Sequence, residues 1–311
     1  MKIAVTGATG FVGRHLLRRL VADGHRCRCW RRPGSDLGGF EDVAMGVEWV
    51  PGELARGDED PLLDGCAAVV HCAFHHPGGG FRPSGAADVA AFVDRNLLGS
   101  LRLLRAARET GVRRFVFLSS CAVHSRLLDD RPLDEAHPLW PTSHYGAIKA
   151  AVEKFIHSYG LGREIEACAL RPASIYGVAR PVERSKWFGL VEKVVSRRRE
   201  VVCEGGAKEV HVADVARAVA LLLTADGVAG EAYNCFDRYV PEVEVAALAA
   251  RFAGSDSRIV ERPGAAMRPI ETGKLEALGM EFGGERRLAE TVRDLVRAAQ
   301  GPRHPAGHPA E

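Results

Sequence analysis

The sequence has little of the features that would point to a membrane or a polymer partner. No window approaches ~20 consecutive apolar residues, the length that a membrane-spanning helix needs. The 42 Lys and Arg residues nearly balance the 40 Asp and Glu residues, for a formal net charge of +2, so no general attraction to nucleic acid or to an acidic membrane is expected. The N-terminus also lacks the basic, apolar and small-residue order of a secretory signal. We therefore expect a cytoplasmic protein with a small-molecule substrate and with neither nucleic acid nor membrane as a partner.

The sequence also lacks the cysteine spacing of a disulfide framework or a zinc site. The eight cysteines, at positions 27, 29, 66, 72, 121, 168, 203 and 235, are scattered, mostly inside apolar runs. None forms a CxxC pair, and no His stands at zinc-ligand spacing from them. We predict reduced thiols in the core and no bound metal. The sequence has no internal repeat.

A glycine-rich turn at the N-terminus is the first positive signal. Lys2 to Thr6 is an apolar, partly β-branched strand pattern, and Phe11 to Leu20 has apolar residues at helical spacing. Gly7, Gly10 and Gly13 lie between or at the start of these patterns, three residues apart. Without a Cβ, such residues let the backbone approach a pyrophosphate and let the helix pack close to the strand. Because the free N–H groups of the first helical turn then face the anion, the turn predicts a dinucleotide site; the alternative is a glycine turn with no ligand.

Strand patterns alternate with helix patterns through most of the chain. Strands are predicted at residues 2–6, 26–32, 47–50, 67–73, 115–119 and 165–170, and long helices at 86–110 and 145–159. Later helices are predicted at 185–196, at 213–224 and from 241, with short strands near 201 and 232. Such alternation indicates a parallel sheet covered on both faces, with ligands at the carboxyl ends of the strands. The predicted fold class is α/β with a doubly wound parallel sheet.

The length and composition are those of a globular protein with two lobes. The chain has 311 residues, of which 46% are hydrophobic and 26% charged, and this is long for a single core. We predict a dinucleotide-binding domain over residues 1–172, with its helix pattern returning near 211–225. Residues 173–300 are predicted to form mainly a substrate-binding lobe, and residues 301–311 a disordered tail.

A tyrosine and a lysine four residues apart are the best candidates for chemistry. On a helix, Tyr145 and Lys149 lie on one face, and a nearby ammonium favours the ionised form of a phenol, whose pKa is otherwise about 10. Their helix follows the fifth strand, which ends at Ser119 and Ser120, at the edge where a doubly wound sheet places its ligand. A serine hydroxyl there can position a substrate oxygen for the tyrosine. The pair predicts a proton-transfer site; a surface pair without chemistry is the alternative.

In combination, these motifs resemble the extended short-chain dehydrogenase/reductase family, in its NAD-dependent epimerase/dehydratase branch, over nearly the whole chain. The stretches that resemble family motifs are 6–13 (TGATGFVG), 70–73 (VHCA), Asn96, 117–123 (FLSSCAV), 145–149 (YGAIK), 170–177 (LRPASIYG), 210–216 (VHVADVA) and 230–234 (GEAYN). The resemblance implies a Rossmann-type sheet, a smaller C-terminal substrate lobe and a nicotinamide cofactor. It also implies a homodimer that forms through the helices at 86–110 and 145–159.

The resemblance implies roles for individual residues. Counting back from Val123 makes Ser120, rather than Ser119, the residue that binds the reacting oxygen. Tyr145 is implied to be the general acid/base, and Lys149 to lower the pKa of Tyr145 and to hold the ribose. The residues expected to contact the cofactor are Gly7, Gly10, Phe11, Val12, Gly13, Arg31, Arg32, Glu53, Leu54, Cys72, Ala73, Asn96, Tyr145, Lys149, Arg171 and Pro172.

The end of the second strand bears on the choice between NAD and NADP. An NAD site usually places a carboxylate there for the ribose hydroxyls, whereas an Arg accommodates a 2′-phosphate. This chain has Arg31 and Arg32 at that point. We therefore predict NADP(H), with NAD(H) as the alternative if the two guanidinium groups are simply solvated.

Departures from the family pattern limit the choice of substrate. Sugar-nucleotide dehydratases of the family have an Asp-Glu pair after the catalytic hydroxyl residue, whereas Cys121 and Ala122 follow here, which disfavours dehydration. Many members that bind nucleotide sugars have an Arg before the second-lobe motif, whereas Ala207 stands here with Lys208 beside it. Other residues predicted to line the substrate pocket are His75, His124 and Ser174, although either histidine alone could be a hydrogen-bonded structural residue.

Three hypotheses about function stay open on the sequence. The first is hydride transfer on a sugar, a nucleotide sugar or a related hydroxyl or carbonyl compound, by epimerisation or by net redox. The second is an NADPH-dependent reductase of a small carbonyl compound without a nucleotide. The third, from another class, is a cofactor-binding sensor or scaffold without catalysis, which the intact Ser120, Tyr145 and Lys149 argue against.

Overall fold

The fold is described from a computed structural model of the chain. The described residues are 1–54, 56–57, 59–76, 86–197, 200–262, 264 and 268–301. The tail predicted at residues 301–311 lies outside these residues except for Gly301.

Strands and helices alternate through the first two thirds of the chain. In the described residues the strands, labelled β1 to β12 in chain order, are Lys2–Thr6, Arg26–Arg31, Val47–Pro51, Ala68–His71, Arg114–Leu118, Glu166–Pro172, Ser174–Tyr176, Glu200–Glu204, Gly206–His211, Glu231–Cys235, Arg238–Pro241 and Arg258–Arg262. The helices, labelled α1 to α10, are Phe11–Ala22, Glu59–Leu63, Ala86–Val93, Gly99–Glu109, His144–Leu161, Phe188–Val195, Val212–Thr224, Glu242–Ala253, Gly273–Glu276 and Gly284–Gln300. A π-helical turn at Asp94–Leu98 joins α3 to α4.

A seven-stranded parallel sheet forms the centre of the first structural unit. In the described part of the chain its strand order is β10-β6-β5-β4-β1-β2-β3. The order reverses direction at β1, which pairs with β2 on one side and with β4 on the other. Every residue of β4 and β5 is buried, as expected for strands covered on both faces. The predicted α/β class with a doubly wound parallel sheet is confirmed.

The register aligns the carboxyl ends of the central strands at one edge of the sheet. Thr6 at the end of β1 pairs with His71 at the end of β4, and His71 pairs with Phe117 of β5. Leu118 of β5 pairs in turn with Leu170 of β6. Residues that follow these strands are therefore brought together, although they are far apart in the sequence.

The chain divides into two units whose boundaries differ from those predicted. The first unit contains Met1–Ser174, Val212–Phe236 and Arg268–Glu281. The sequence prediction gave residues 173–300 mainly to the second lobe, apart from a helix near 211–225. The first unit takes more of them because β10 extends the main sheet beside β6, and α9 packs against β10.

The second unit has its own sheet and core. It contains the described residues of Ile175–His211, Asp237–Met267 and Phe282–Glu311. Its strands form a sheet of order β11-β9-β7 and a parallel pair of β8 and β12. Helices α6, α8 and α10 pack together to form its core, which contains buried residues such as Val194, Val245 and Val292. The long helix α10 is absent from the sequence prediction for this part of the chain.

Candidate active site

The glycine turn after β1 is held by contacts that exclude side chains. Gly7 has a φ of +71°, and a Cβ there would lie 2.8 Å from the amide nitrogen of Ala73. A Cβ on Gly13 would lie 2.2 Å from the carbonyl oxygen of Gly7 and 2.6 Å from Cα of Ala8. The amide of Gly10 donates to the carbonyl of Gly7 over 3.0 Å. The predicted tight turn and close packing of helix on strand are therefore present.

The start of α1 fits the pyrophosphate of a dinucleotide. Gly10 precedes the helix and has no side chain to cap it. The first amides of α1, including those of Phe11 and Val12, have no intrahelical acceptor, and together with the helix dipole they favour an anion. Arg14 is turned away from this position, because it donates to the carbonyls of Asp36 and Gly38 over 2.6 and 2.7 Å.

A buried hydrogen-bonded chain joins the glycine turn to the helix behind β4. The Oγ1 of Thr6 lies 2.7 Å from Nδ1 of His71 and accepts from the amide of Ala73 over 3.1 Å. Nε2 of His71 lies 2.8 Å from Oγ of Ser100, which donates to the carbonyl of Asn96. Burial, with a contribution from Lys149, lowers the pKa of His71 to about 3. The sequence motif contained His71, but nothing in the sequence indicated this chain of contacts.

The side chain of Asn96 is hydrogen-bonded to the protein backbone. It lies in the π-helical turn and is 1% exposed. Its Oδ1 accepts from the amide of His75 over 2.7 Å, and its Nδ2 donates to the carbonyls of His75 and Phe92. Asn96 therefore holds the segment after β4, and its predicted contact with the cofactor stays a prediction. Turns of this kind are frequent at functional sites.

Helix α5 brings Tyr145 to Ser120 through a close approach at one glycine. Ser143 caps the helix by accepting from the amide of Gly146 over 3.1 Å. A Cβ on Gly146 would lie 2.4 Å from the carbonyl oxygen of Ala122, so only glycine allows this packing. Tyr145 and Ser120 share a hydrogen bond, and this bond acts to lower the pKa of Tyr145.

Lys149 lies one helical turn beyond Tyr145, in an aromatic environment. Its Nζ donates to the carbonyl of Leu118 over 2.6 Å and lies 4.9 Å from the ring centre of Phe74 and 4.7 Å from that of Phe117. It lies 5.8 Å from the centre of the Tyr145 ring. Burial lowers the pKa of Lys149 to about 8.

The net pKa shift of Tyr145 is opposite to the one expected. Burial raises it and outweighs the hydrogen bond from Ser120. We expected Lys149 to lower this pKa, but its ammonium donates to the carbonyl of Leu118 over 2.6 Å. The structure thus brings Ser120, Tyr145 and Lys149 together as predicted, with Tyr145 as a neutral phenol at pH 7.

Comparison with known proteins agrees with this site. The family model described as "NAD dependent epimerase/dehydratase family" matches residues 3–235. The chain belongs to the NAD-dependent epimerase/dehydratase family. It is therefore a member of the extended short-chain dehydrogenases/reductases, as the motifs indicated.

Individual members of this family resemble the chain to different extents. A UDP-glucose 4-epimerase of Rhizobium meliloti (strain 1021) is 33% identical over 177 residues, which are 54% of this chain and 50% of that protein. A 4-hydroxy-2-methyl-3-oxo-4-farnesyl-3,4-dihydroquinoline-1-oxide ketoreductase of Stigmatella aurantiaca is 31% identical over 246 residues, 76% of this chain and 68% of that protein. The crystal structure of the Thermus thermophilus UDP-glucose 4-epimerase in complex with NAD is 25% identical, with a TM-score of 0.75 over 96% of this chain and 100% of that chain. The match to the Rhizobium protein spans half of that protein's length.

In this member of the epimerase/dehydratase family, the guanidinium of Arg171 is hydrogen-bonded within the protein. It is 1% exposed, and its guanidinium donates to both carboxylate oxygens of Glu153 over 2.7 to 3.1 Å. Its guanidinium is therefore bound to Glu153, and the predicted contact of Arg171 with the cofactor stays a prediction. Pro172, its neighbour in β6, is also buried. The sequence contains no local signal for the pair, because Glu153 and Arg171 lie on different elements.

Both ring nitrogens of His124 have partners within the protein. Its Nε2 lies 3.2 Å from Nη1 of Arg171, and its Nδ1 lies 3.3 Å from the carbonyl oxygen of Pro138. Burial, followed by the charge of Arg171, lowers its pKa to about 4. These contacts favour the structural alternative for His124, and its place in the substrate pocket stays a prediction. Ser174 begins β7 and is exposed.

The remaining predicted cofactor residues are divided between the core and the surface. Leu54 belongs to the hydrophobic core, so its side chain does not offer a cofactor contact, and Glu53 pairs with Arg56 over 3.2 Å. The amide of Cys72 donates to the carbonyl of Thr6 over 3.3 Å, which keeps the turn after β4 against the glycine turn.

A cluster of positive charge lies beyond the ends of β2 and β4. Arg31 and Arg32 are both exposed, and in the described residues neither guanidinium takes part in an ion pair. Nη1 of Arg95 lies 3.2 Å from Nε2 of His75. The pKa of His75 is lowered by burial and then by the charges of Arg95 and Arg32. His75 therefore lies within the field of this cluster.

Neither a metal site nor a membrane-spanning helix is found in the described residues. No group of three or more His, Cys, Asp or Glu side chains there could hold a metal ion. None of the described helices is long and apolar enough to span a membrane. The predicted cytoplasmic location stays a prediction.

Proposed function

We propose that the protein is an NAD(P)-dependent enzyme that transfers a hydride at a hydroxyl- or carbonyl-bearing carbon of a sugar or nucleotide sugar, with epimerisation as the leading reaction. The observation that supports this most directly is the cluster of Ser120, Tyr145 and Lys149 at the carboxyl edge of the sheet, beside the glycine turn. Family membership supports the same reaction class. A protein that only bound a cofactor would have no need of a buried phenol that is hydrogen-bonded to a serine.

The roles follow from the geometry of the first unit. The glycine turn and the first turn of α1 hold the pyrophosphate, and Lys149 is placed to hold the ribose. When bound, the nicotinamide supplies the group that accepts and returns a hydride. Ser120 orients the reacting oxygen of the substrate. Tyr145, whose pKa is raised by burial, holds its proton at neutral pH and is ready to donate it to a carbonyl oxygen.

The cofactor we favour is NADP(H). Arg31 and Arg32 are exposed at the end of β2, where the 2′-phosphate of NADP would lie in this fold. The positive field of Arg95 beside them adds to the attraction for a phosphate. The carboxylate of Glu53, the nearest candidate for binding ribose hydroxyls, is paired with Arg56.

A second candidate is an NADPH-dependent reductase of a small carbonyl compound without a nucleotide. Ala207 stands where many nucleotide-sugar enzymes of the family have an Arg, so one contact to a substrate pyrophosphate is missing. The likeness to the Stigmatella ketoreductase supports this reading as well. Dehydration remains disfavoured, because Cys121 and Ala122 follow Ser120 in place of two acidic residues.

A homodimer is part of the proposal. The helical segments 86–109 and 144–161 expose large apolar side chains, Leu98 at 42% and Phe155 at 43%. Exposed apolar side chains on neighbouring helices are typical of association surfaces. Light scattering tests this, and Phe155→Glu is expected to give a monomer if the wild-type protein is a dimer.

The first experiment is to denature the purified protein and identify any released nucleotide by absorbance and mass spectrometry. A stoichiometric dinucleotide supports an epimerase, because such an enzyme returns its hydride within one cycle. A protein that is empty but binds NADPH reversibly supports the reductase. The same preparation is then assayed with UDP-galactose, UDP-glucuronate and a panel of free ketones. A folded protein that binds neither dinucleotide and turns over none of these compounds would overturn the proposal.

A further inference from the structure

A buried ion pair lies directly behind the candidate active site. Glu153 is 0% exposed and Arg171 is 1% exposed. Nε of Arg171 donates to Oε1 and Oε2 of Glu153 over 3.1 and 3.0 Å, and Nη2 donates to Oε2 over 2.7 Å. Burying two charges has a large desolvation cost, and an apolar pair of similar volume is often as stable. Stability alone is therefore a weak reason for this pair to be present.

The carboxylate of the pair anchors the residue before Ser120. Ser119 donates its hydroxyl to Oε1 of Glu153, and its amide donates to the carbonyl of Leu170 over 2.7 Å. Glu153 also lies one helical turn beyond Lys149 and two turns beyond Tyr145, on the same face of α5. The acid/base residues and the carboxylate are thus fixed to one rigid element.

The arginine of the pair anchors the residues after Ser120. The thiol of Cys121 donates to the carbonyl of Arg171 over 3.0 Å, and Nη1 of Arg171 lies 3.2 Å from Nε2 of His124. Nη1 also donates to the carbonyl of Glu135 over 3.0 Å. The side chains of the pair therefore hold the segment that contains Ser120 on both sides, through Ser119 and His124, whereas Cys121 binds the backbone of Arg171.

We propose that Glu153 and Arg171 are positioning residues that fix Ser120 at hydrogen-bonding distance from Tyr145. The inference rests on the proposed function, since it assigns these two residues to the proton-transfer step. Neither is a catalytic residue, because both act through the segment 119–124. Loss of the pair would let this segment shift, and a displacement of ~1 Å in such a site can reduce the rate by about 10²-fold.

The direct test measures the hydrogen bond in the free protein, without substrate or cofactor. Biosynthetic 3-fluorotyrosine allows Tyr145 to be titrated by ¹⁹F NMR, with assignment from the spectrum of Tyr145→Phe. In the described part of the chain, the charged or titratable groups near the phenol include Cys121 in the segment after β5 and Lys149 on α5. Because the hydrogen bond with Ser120 lowers the pKa of Tyr145, Ser120→Ala is the reference variant and should raise this pKa.

The main variant replaces the pair as a unit, Glu153→Met with Arg171→Met, so that no buried charge is left unpaired. It should raise the pKa of Tyr145 toward the value in Ser120→Ala. Ser119→Ala, a much smaller change, should raise it in the same direction and decides the question if the double variant does not fold. The matched control is Glu166→Gln, which breaks the Arg114–Glu166 pair at the other end of β6 and should leave the pKa unchanged.

Turnover provides a second readout, with UDP-galactose as the probe and the dinucleotide-loaded protein as the enzyme. The double variant and Ser119→Ala should lower kcat at least about tenfold with little change in KM, because the reacting oxygen is misplaced in the transition state while binding persists. A folded double variant, or Ser119→Ala, with the wild-type pKa of Tyr145 would overturn the inference. A folded wild-type protein that binds neither dinucleotide and turns over none of the panel compounds would overturn the proposed function instead, and the titration of Tyr145 would still decide whether the pair positions Ser120.

Discussion

The glycine turn and the cluster around Ser120 lie at the same edge of the sheet but are held in opposite ways. The turn depends on missing side chains, since a Cβ at Gly7 or Gly13 would meet backbone atoms. The Ser120 cluster depends on buried polar side chains, chiefly Glu153 and Arg171, which lie on different elements. The first is therefore sensitive to any added atom, whereas the second is sensitive to the loss of a charge or a hydrogen bond.

The strongest way to break the glycine turn is to add a side chain at Gly13. Gly13→Val places atoms where the carbonyl of Gly7 and Cα of Ala8 already lie, and backbone cannot give way as a side chain does. We expect the loss of dinucleotide binding and destabilisation by about 3 kcal/mol or more. Calorimetric binding of NADPH and denaturant unfolding measure the two effects. Gly189→Ala is the control, since a Cβ there meets nothing within 4 Å; equal damage in both variants would contradict the steric account.

The corresponding change in the Ser120 cluster is Tyr145→Phe, which removes the phenol oxygen and keeps the packing of the ring. Tyr145→Phe should lower the turnover of UDP-galactose by about 10³-fold, because general acid–base catalysis is worth 10² to 10⁴. Binding of the dinucleotide should stay close to that of the wild type, because the glycine turn is untouched. Steady-state kinetics and calorimetry separate the two regions. A fully active Tyr145→Phe variant would refute the assignment of the acid/base.

The same contrast explains how much could be predicted from the sequence. The glycine turn, the strands β1 to β6 with the long helices between them, and the Tyr145–Lys149 spacing are local, so periodicity and residue type are enough to predict them. The Glu153–Arg171 pair joins a helix to a strand whose approach depends on the whole sheet, and no spacing rule predicts it. For this reason Arg171 and His124 were assigned to ligands, although both bind the protein itself.

The direction of the Tyr145 shift shows a second limit of sequence reasoning. The four-residue spacing in the sequence correctly predicts that Lys149 lies near Tyr145. It does not indicate that the ammonium binds the carbonyl of Leu118 or that the phenol is mostly buried. Burial depends on side chains such as Phe74, which follows β4 and whose ring centre lies 4.9 Å from that of Tyr145 only in the folded chain.

His71 binds Thr6 at the glycine turn, and its titration tests the burial of its imidazole. Its pKa is lowered to about 3 from 6.5, so the unfolded chain binds a proton between these values and the native chain does not. Native stability should therefore fall as the pH drops from 6.5 toward 3, by up to about 1.4 kcal/mol per pH unit from this residue. His71→Gln should remove this part of the slope in urea unfolding between pH 6.5 and 4.5. His144→Gln, which removes an exposed imidazole, should keep it; an unchanged slope in His71→Gln would contradict the neutral, buried imidazole.

The smallest predicted effect concerns the preference for NADPH over NADH, which depends on residues near the glycine turn and not on the turn itself. Arg31→Ser and Arg32→Ser should each weaken the binding of NADPH about tenfold and leave that of NADH nearly unchanged, because a hydrogen bond to a charged group is worth about 1.5 kcal/mol. The preference for NADPH over NADH should also decrease as the salt concentration is raised, since both arginine side chains are exposed. Calorimetry with both dinucleotides measures the ratio. Arg56→Ser is the matched control, because its guanidinium is already paired with Glu53. Equal affinity of the wild-type protein for NADPH and NADH would rule out a phosphate-binding role for the two arginines, while the glycine turn and the Ser120 cluster would keep their assigned functions.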